Sequence, residues 1–275
     1  MVEENKVKEL NIKCKTIRYL TIDAIGHLGV GHIGGSLSIV EVLVVLYYNH
    51  MNIDVNHPKM EGRDRFILSK GHAGPALYSI LADKGYFDKK LLYTLNTPNT
   101  NFPSHCDMAK TPGIDMTTGS LGQGFSCAIG IAIGSKIKKD NATIYTLIGD
   151  GESQEGQIWE AAMYGAHKKL DNLIGFTDYN KLQIDGTTDE INSLEPIDDK
   201  WKAFGWNVIH VKDGHNVQEI DHAILSAKKS KGRPTMIILN TIKGKGAYFA
   251  EQIGAGNHNM HVEPEQIQKA LKELN

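Results

Sequence analysis

Apolar residues recur along the chain in two alternating rhythms. Short runs rich in β-branched residues stand at 65–69 (RFILS), 143–148 (TIYTLI), 172–178 (NLIGFTD), 207–211 (NVIHV) and 235–242 (TMIILNTI). Between them, apolar positions fall three and four residues apart at 37–49, 75–84, 123–138, 153–169 and 217–230, and one more such stretch opens the chain at about 5–28. The first rhythm predicts buried strands and the second predicts amphipathic helices. Their alternation predicts a mostly parallel sheet with helices on both faces, the doubly wound α/β class. No Pro-, Gly- or Ser-rich linker and no internal repeat divides the chain, so residues 1–275 are expected to form a single domain. Residues 85–120 break the pattern and are rich in Gly, Pro, Thr and Asn; loops that long in compact domains tend to be functional.

Composition and charge narrow the function classes. Hydrophobic residues at 41% and charged residues at 23% are ordinary for a globular protein. A net charge of −2 leaves no footprint for nucleic acid or an anionic membrane surface. The longest apolar run, Val42 to Tyr48, is far short of the ~18 residues of a membrane span. The polar opening MVEENKVKEL carries no secretory signal. Three cysteines (Cys14, Cys106, Cys127), sparse and without metal spacing, fit a reduced cytoplasm. The expectation is a cytoplasmic protein with neither nucleic acid nor membrane as a partner.

Two short motifs carry candidate chemistry. Gly149-Asp150-Gly151 follows the apolar run at 143–148, and Asn180 follows the run at 172–178. Ligands of an open parallel sheet sit beyond the carboxyl ends of its strands, so Asp150 and Asn180 should emerge at one edge. A carboxylate and an amide carbonyl are hard oxygen donors, too few to cage a metal alone. Mg²⁺ suits such a pair because it takes its other ligands from phosphate oxygens and water. The pair therefore points to a diphosphate bridged to protein by a divalent cation, with Gly149 and Gly151 allowing close backbone approach. Each motif also reads as a simple strand-ending turn. TTGSLGQG at 117–124 is likewise either a tight loop or a phosphate cradle; it lacks the strict Gly-x-Gly-x-x-Gly after a strand, which counts against a dinucleotide.

Spacing and order join these pieces. Residues 152 through 179, 28 in all, separate Gly-Asp-Gly from Asn180, which resembles the thiamine diphosphate signature. TTGSLGQG resembles the cofactor loop of transketolases. GHIGGSLS (31–38), LSKGHAGPALY (68–78), SHCDMAKTPG (104–113), GDGESQEG (149–156), NKLQIDG (180–186) and TIKGKG (241–246) follow in that family's order. From about residue 10 to 262 the chain resembles the diphosphate-binding half of a transketolase. It departs from the family twice. SHCD at 104–107 stands for Gly-His-Pro-Glu or Gly-His-Pro-Asp, and GNHNMHVE at 256–263 replaces Trp-His-Gly, leaving His258 and His261 as rival matches to one family histidine.

The resemblance implies a thiamine diphosphate enzyme moving a two-carbon ketol unit from a ketose to an aldose. By that resemblance, Asp150, Asn180 and the Leu182 carbonyl ligate Mg²⁺ (or Ca²⁺ or Mn²⁺). Gly119, Ser120, Leu121, Gly149, Gly151, Glu152, Ile184 and Lys243, together with His72, His258, Asp150 and Asn180, bind the cofactor. His32, His72, His105 and His258 are the catalytic histidines, imidazole being suited to moving protons on sugar hydroxyls near neutral pH. Glu155 joins the catalytic set by the same resemblance, matching a carboxylate at the dimer interface that faces a carboxylate of the partner domain. The pyrimidine-binding domain and its activating glutamate have no counterpart in these residues, which implies a C-terminal companion chain and an A₂B₂ heterotetramer. The implied substrates are sugars or sugar phosphates of pentose phosphate-type metabolism, or a sulfonated or deoxy ketose. Rivals are a deoxyxylulose phosphate synthase-like half, the first component of a 2-oxoacid dehydrogenase, and a non-catalytic cofactor-binding chain. Cys106, beside His105, could be read as a nucleophile but has no family counterpart.

Overall fold

The computed structural model describes residues 3–274. Helix α1 (Glu4–Leu28) buries Leu10, Cys14, Ile17, Thr21, Ala24 and Ile25, a stripe with spacings of three and four that lays one helix face on the core. It stops at Gly29, whose left-handed backbone (φ 80°) lets its amide close on the Ile25 carbonyl. There follow β1 (Val30–Gly31), α2 (Ile33–Leu37), α3 (Val40–Val45), β2 (Arg65–Leu68), α4 (Gly74–Lys84), α5 (Gln123–Lys138), β3 (Ile144–Gly149), α6 (Gly156–His167), β4 (Leu173–Tyr179), α7 (Thr188–Asn192), α8 (Ile197–Ala203), β5 (Asn207–Val211), α9 (Val217–Lys229), β6 (Thr235–Asn240), α10 (Tyr248–Ile253), β7 (Met260–His261) and α11 (Pro264–Leu274).

Five strands form one sheet in the order β2-β3-β4-β6-β5, every pair parallel. Alternation along the strands feeds two cores. Tyr145, Leu147, Ile174, Phe176, Ile237 and Leu239 point to the face covered by α1, α3, α4 and α9. Ile144, Ile148, Leu173, Met236 and Ile238 point to the face covered by α5, α6 and α8, where Trp201 and Trp206 are fully buried. Helices therefore clothe both faces, as the two rhythms predict.

Two local departures have physical causes. The expected helix at 37–49 is broken into α2, α3 and a π-helical turn over Leu46–His50. Every residue from Ile33 to Leu46 is buried, so no polar face marks a helix axis in the sequence. The break falls at Ser38, whose hydroxyl donates to Asp178 across the core (2.6 Å). The expected helix at 153–169 begins instead with a 3₁₀ turn over Gly151–Gln154. Residues 85–120 hold only one short 3₁₀ segment, Lys89–Thr94, and otherwise wrap the edge of the sheet as loop.

Candidate active site

Four strands end at one cavity. Lys70 follows β2, Asp150 caps β3, Asn180 follows β4 and Lys243 follows β6, so the sheet's carboxyl edge sets the floor. The cavity is about 420 Å³, within the range for small-molecule sites. Its walls carry His32, His72, His105 and His258, delivered by the start of α2, the turn before α4, the long 85–120 loop and the turn before β7.

A buried ion pair anchors the floor. Lys70, 2% exposed, donates through Nζ to Asp178 Oδ2 (2.6 Å) and to the Gly35 carbonyl (2.7 Å). Asp178 also accepts from Ser38 (2.6 Å), from Asn180 Nδ2 (2.9 Å) and from Thr241. Burial alone would raise the Asp178 carboxyl, but the Lys70 ammonium and these donors hold it below its ordinary value. Asp178 thereby orients Asn180, whose Oδ1 accepts from the Leu182 amide (3.1 Å). Both side chains leave the strand on the same side because they are two residues apart.

Asp150 behaves differently. Its oxygens accept from the Gly151 amide (2.7 Å) and the Lys181 amide (2.5 Å). Burial, and then the nearby Asp178 charge, push its carboxyl up to about 7. Asp150 is thus a buried carboxylate whose charged form its surroundings only partly support. A bound cation would favour that charged form. Among the described residues, no group of three or more His, Cys, Asp or Glu side chains is placed to hold a metal. The donors at this end are instead one carboxylate, the Asn180 amide and the Leu182 carbonyl, a hard, incomplete oxygen set of the kind Mg²⁺ shares with phosphate. Lys243 stands opposite, its Nζ donating to the Leu182 carbonyl (3.2 Å) and lying 3.4 Å from His258 Nδ1. Burial lowers Lys243 to about 8, partly offset by Asp150. Among the described residues it forms no ion pair, so its ammonium is available to an anion. A buried carboxylate for a cation and an ammonium for a phosphate, lining one cavity, fit a metal diphosphate.

The imidazoles form a compact cluster: ring centres of His32 lie 5.3 Å from His72, 5.6 Å from His105 and 5.5 Å from His258, and His72 lies 4.8 Å from His258. Burial, with neighbouring cations, lowers His32 to about 4, His258 to about 3 and His72 well below its ordinary value, and burial lowers His105 as well. All four are neutral at pH 7, so each offers one N–H and one lone pair to a ligand in the cavity. One consequence is measurable in the cofactor-free chain. The unfolded imidazole takes its proton near 6.5 while folded His258 refuses it down to about 3, so this residue withdraws stability as pH falls through that window. Replacing His258 with Gln should therefore reduce the drop in Tm between about pH 6.5 and 4.5 relative to the native chain. An equal drop in both would contradict the assigned environment.

A family model described as transketolase, thiamine diphosphate binding domain, matches residues 10–274. The chain belongs to the transketolase family. It is 59% identical over 266 residues to the 6-deoxy-6-sulfo-D-fructose transketolase subunit SqwG of Clostridium sp., covering 97% of this chain and 96% of that one. It is 38% identical to an apulose-4-phosphate transketolase subunit of Phocaeicola vulgatus, over 98% of this chain and 95% of the relative. Among solved structures, a transketolase variant from Pichia stipitis superimposes with a TM-score of 0.90 at 31% identity, over 97% of this chain but only 41% of the Pichia chain. The chain thus spans about two fifths of the length of that solved transketolase.

Set beside the transketolase motifs, the cavity gathers nearly every expected residue. His32, His72, His105, His258, Gly119, Leu121, Gly149, Asp150, Gly151, Glu152, Glu155, Asn180, Leu182, Ile184 and Lys243 line it. Ser120 does not; it is exposed beside the rim. Glu152 lines it, yet its carboxylate is taken by the protein, accepting from Ser69 (2.5 Å) and from the amides of Gly122 (2.9 Å) and Gly149 (3.0 Å). It ties the 117–124 loop to the end of β3. His258 faces the cavity, while His261 lies exposed on β7, paired with Val30. Cys106 is buried, and burial pushes its thiol up to about 12, an environment for packing rather than nucleophilic attack. Sequence reasoning missed Lys70, Asp178, Gln154 and Gln183. Asp178 ends a greasy run that reads as plain strand, and a charge there, two residues before Asn180, was the available signal.

Proposed function

We propose that residues 1–275 act as one diphosphate-binding domain, the N-terminal subunit of a two-chain transketolase, with a sulfonated ketose as donor. The observation that carries this reading is the meeting, in one cavity, of the Asp150–Asn180–Leu182 oxygen set, the unpaired Lys243 and four neutral histidines. Asp150, Asn180 and the Leu182 carbonyl would hold Mg²⁺, or Ca²⁺ or Mn²⁺, and Lys243 the diphosphate. When bound, thiamine diphosphate supplies the carbanion-stabilising chemistry that two-carbon transfer requires. The histidines exchange protons with the sugar hydroxyls, and the Lys70–Asp178 pair keeps the floor rigid.

The companion is inferred from what the cavity lacks. Its cationic lining residues, Lys70 and Lys243, both stand at the diphosphate end, so recognition of an anionic sugar terminus falls to another chain. Ile184, 64% exposed at the lip, and the exposed Glu155 are the surface it would cover. The names of the two subunit relatives support a split enzyme, and the 59% identity to SqwG favours the sulfonated donor over a phosphorylated one. An A₂B₂ assembly in the cytoplasm follows from this reading; among the described residues no helix is long and apolar enough to cross a membrane.

The test is a donor comparison with the purified chain, with and without its companion, at saturating thiamine diphosphate and Mg²⁺. Turnover should require both chains, and kcat/KM for 6-deoxy-6-sulfofructose should exceed that for fructose 6-phosphate at least about tenfold. Robust turnover by this chain alone would defeat the split, and a preference for the phosphate would defeat the sulfonated donor.

A further inference from the structure

We propose that Glu41 is a positioning residue for the diphosphate end of the site, acting through Arg18 and His215 on the loop that presents Lys243. The inference rests on the diphosphate reading of the cavity. None of the three residues lines that cavity.

The loop Thr241–Gly246 leaves β6 without regular structure of its own, and buried side chains from elsewhere hold it. His215 accepts at Nε2 from the Ile242 amide (2.8 Å), and Arg18 donates through Nε to the Lys245 carbonyl (2.7 Å). These two bonds bracket Lys243. Glu41 sits behind both, Oε1 accepting from Arg18 Nη2 (2.7 Å) and Oε2 accepting from His215 Nδ1 (2.9 Å). The side chains are 7% exposed for Arg18 and Glu41 and 9% for His215. They come from α1, α3 and the turn before α9, so one carboxylate joins three elements to one loop.

The chemistry fixes the direction of every bond. Ile242 can only donate its N–H, so His215 must present a lone pair at Nε2 and carry its proton on Nδ1, toward Glu41. Arg18 can only donate. Glu41 is therefore asked for two acceptors at once, which a carboxylate supplies and an amide of the same shape does not. The fit at the loop is close: a β-carbon on Gly246 (φ +84°) would lie 2.3 Å from Arg18 Cδ. A buried pair serving stability alone needs no such aim, since apolar residues of the same volume commonly serve as well. Here both arms end on the backbone flanking one side chain, the ammonium that reaches the cavity.

The experiment titrates thiamine diphosphate, with Mg²⁺, into the two-chain assembly carrying Glu41→Gln, His215→Leu or His215→Gln. Hydrogen exchange of the Ile242 amide is followed alongside. Glu41→Gln and His215→Leu should raise Kd about 10- to 100-fold and speed Ile242 exchange. His215→Gln should stay near native, because its amide can accept from Ile242 and donate to Glu41. Should Glu41→Gln fail to fold, the contrast between the two His215 variants decides. Native Kd in a folded His215→Leu assembly, or equal losses in His215→Leu and His215→Gln, would overturn the inference. If the unmutated assembly itself binds no thiamine diphosphate, the reading of the cavity falls, and this inference with it.

Discussion

Replacing Asp150 with alanine should abolish Mg²⁺-dependent binding of thiamine diphosphate. Of the three donors at the metal end, only Asp150 brings a formal negative charge. Burial and Asp178 push its carboxyl up to about 7 in the ligand-free chain, so the protein holds that charge at a cost which a bound cation reverses. Removing one member of a buried, hydrogen-bonded charge pair costs about 2–5 kcal/mol, which is roughly 30- to 5,000-fold in Kd. Calorimetric titration of the two-chain assembly, with and without Mg²⁺, measures it directly. Asp150→Asn keeps the size but loses the charge and one of the two acceptors that the Gly151 and Lys181 amides use, so it should fail as badly. An Asp150→Ala assembly that binds as tightly as the native one would refute the metal assignment.

The second large effect belongs to the histidines. His105 stands on the 85–120 loop and makes no hydrogen bond to Asp150 or Lys243 among the described residues, whereas His258 lies 3.4 Å from Lys243. His105→Ala should therefore leave cofactor affinity unchanged, and His258→Ala should weaken it only slightly. Turnover of sugar should fall ~10²- to 10⁴-fold in either variant if the imidazole acts as general acid or base. A histidine that only binds the sugar would raise KM and spare kcat. His261→Ala, on the exposed ribbon, should be close to native in both respects. Near-native kcat for His258→Ala with a large defect for His261→Ala would reverse the assignment.

Much of this architecture was legible because the signals were local. The β-branched runs ended within two residues of the observed strands, TTGSLGQG opened α5, and GDG sat at the turn that leaves β3. What escaped was non-local or contextual. Lys70 lay inside the LSKGHAGPALY motif, yet its role depends on Asp178, 108 positions away in the chain. The two-residue strands β1 and β7 are too short to show any alternation. The α2–α3 break is invisible because a segment buried on all sides has no polar face to reveal its phase. Glu152 is the converse case: it lines the cavity, but its hydrogen bonds to the Gly122 and Gly149 amides join positions that the sequence alone does not bring together.

The small ribbon of β1 and β7 sets the order in which this chain can mature. Val30 pairs with His261 and Gly31 with Met260, partners more than two hundred residues apart. His32 leaves one arm of the ribbon and His258 enters the other. During synthesis, the amino-terminal arm must wait, unpaired, until Met260 and His261 have left the ribosome. The sheet can assemble strand by strand meanwhile, but the histidine cluster cannot close before its last member arrives. Contacts so distant in sequence are slow to form. A nascent chain that has not yet reached residue 258 would thus carry the Asp150–Asn180 edge without a finished histidine cluster.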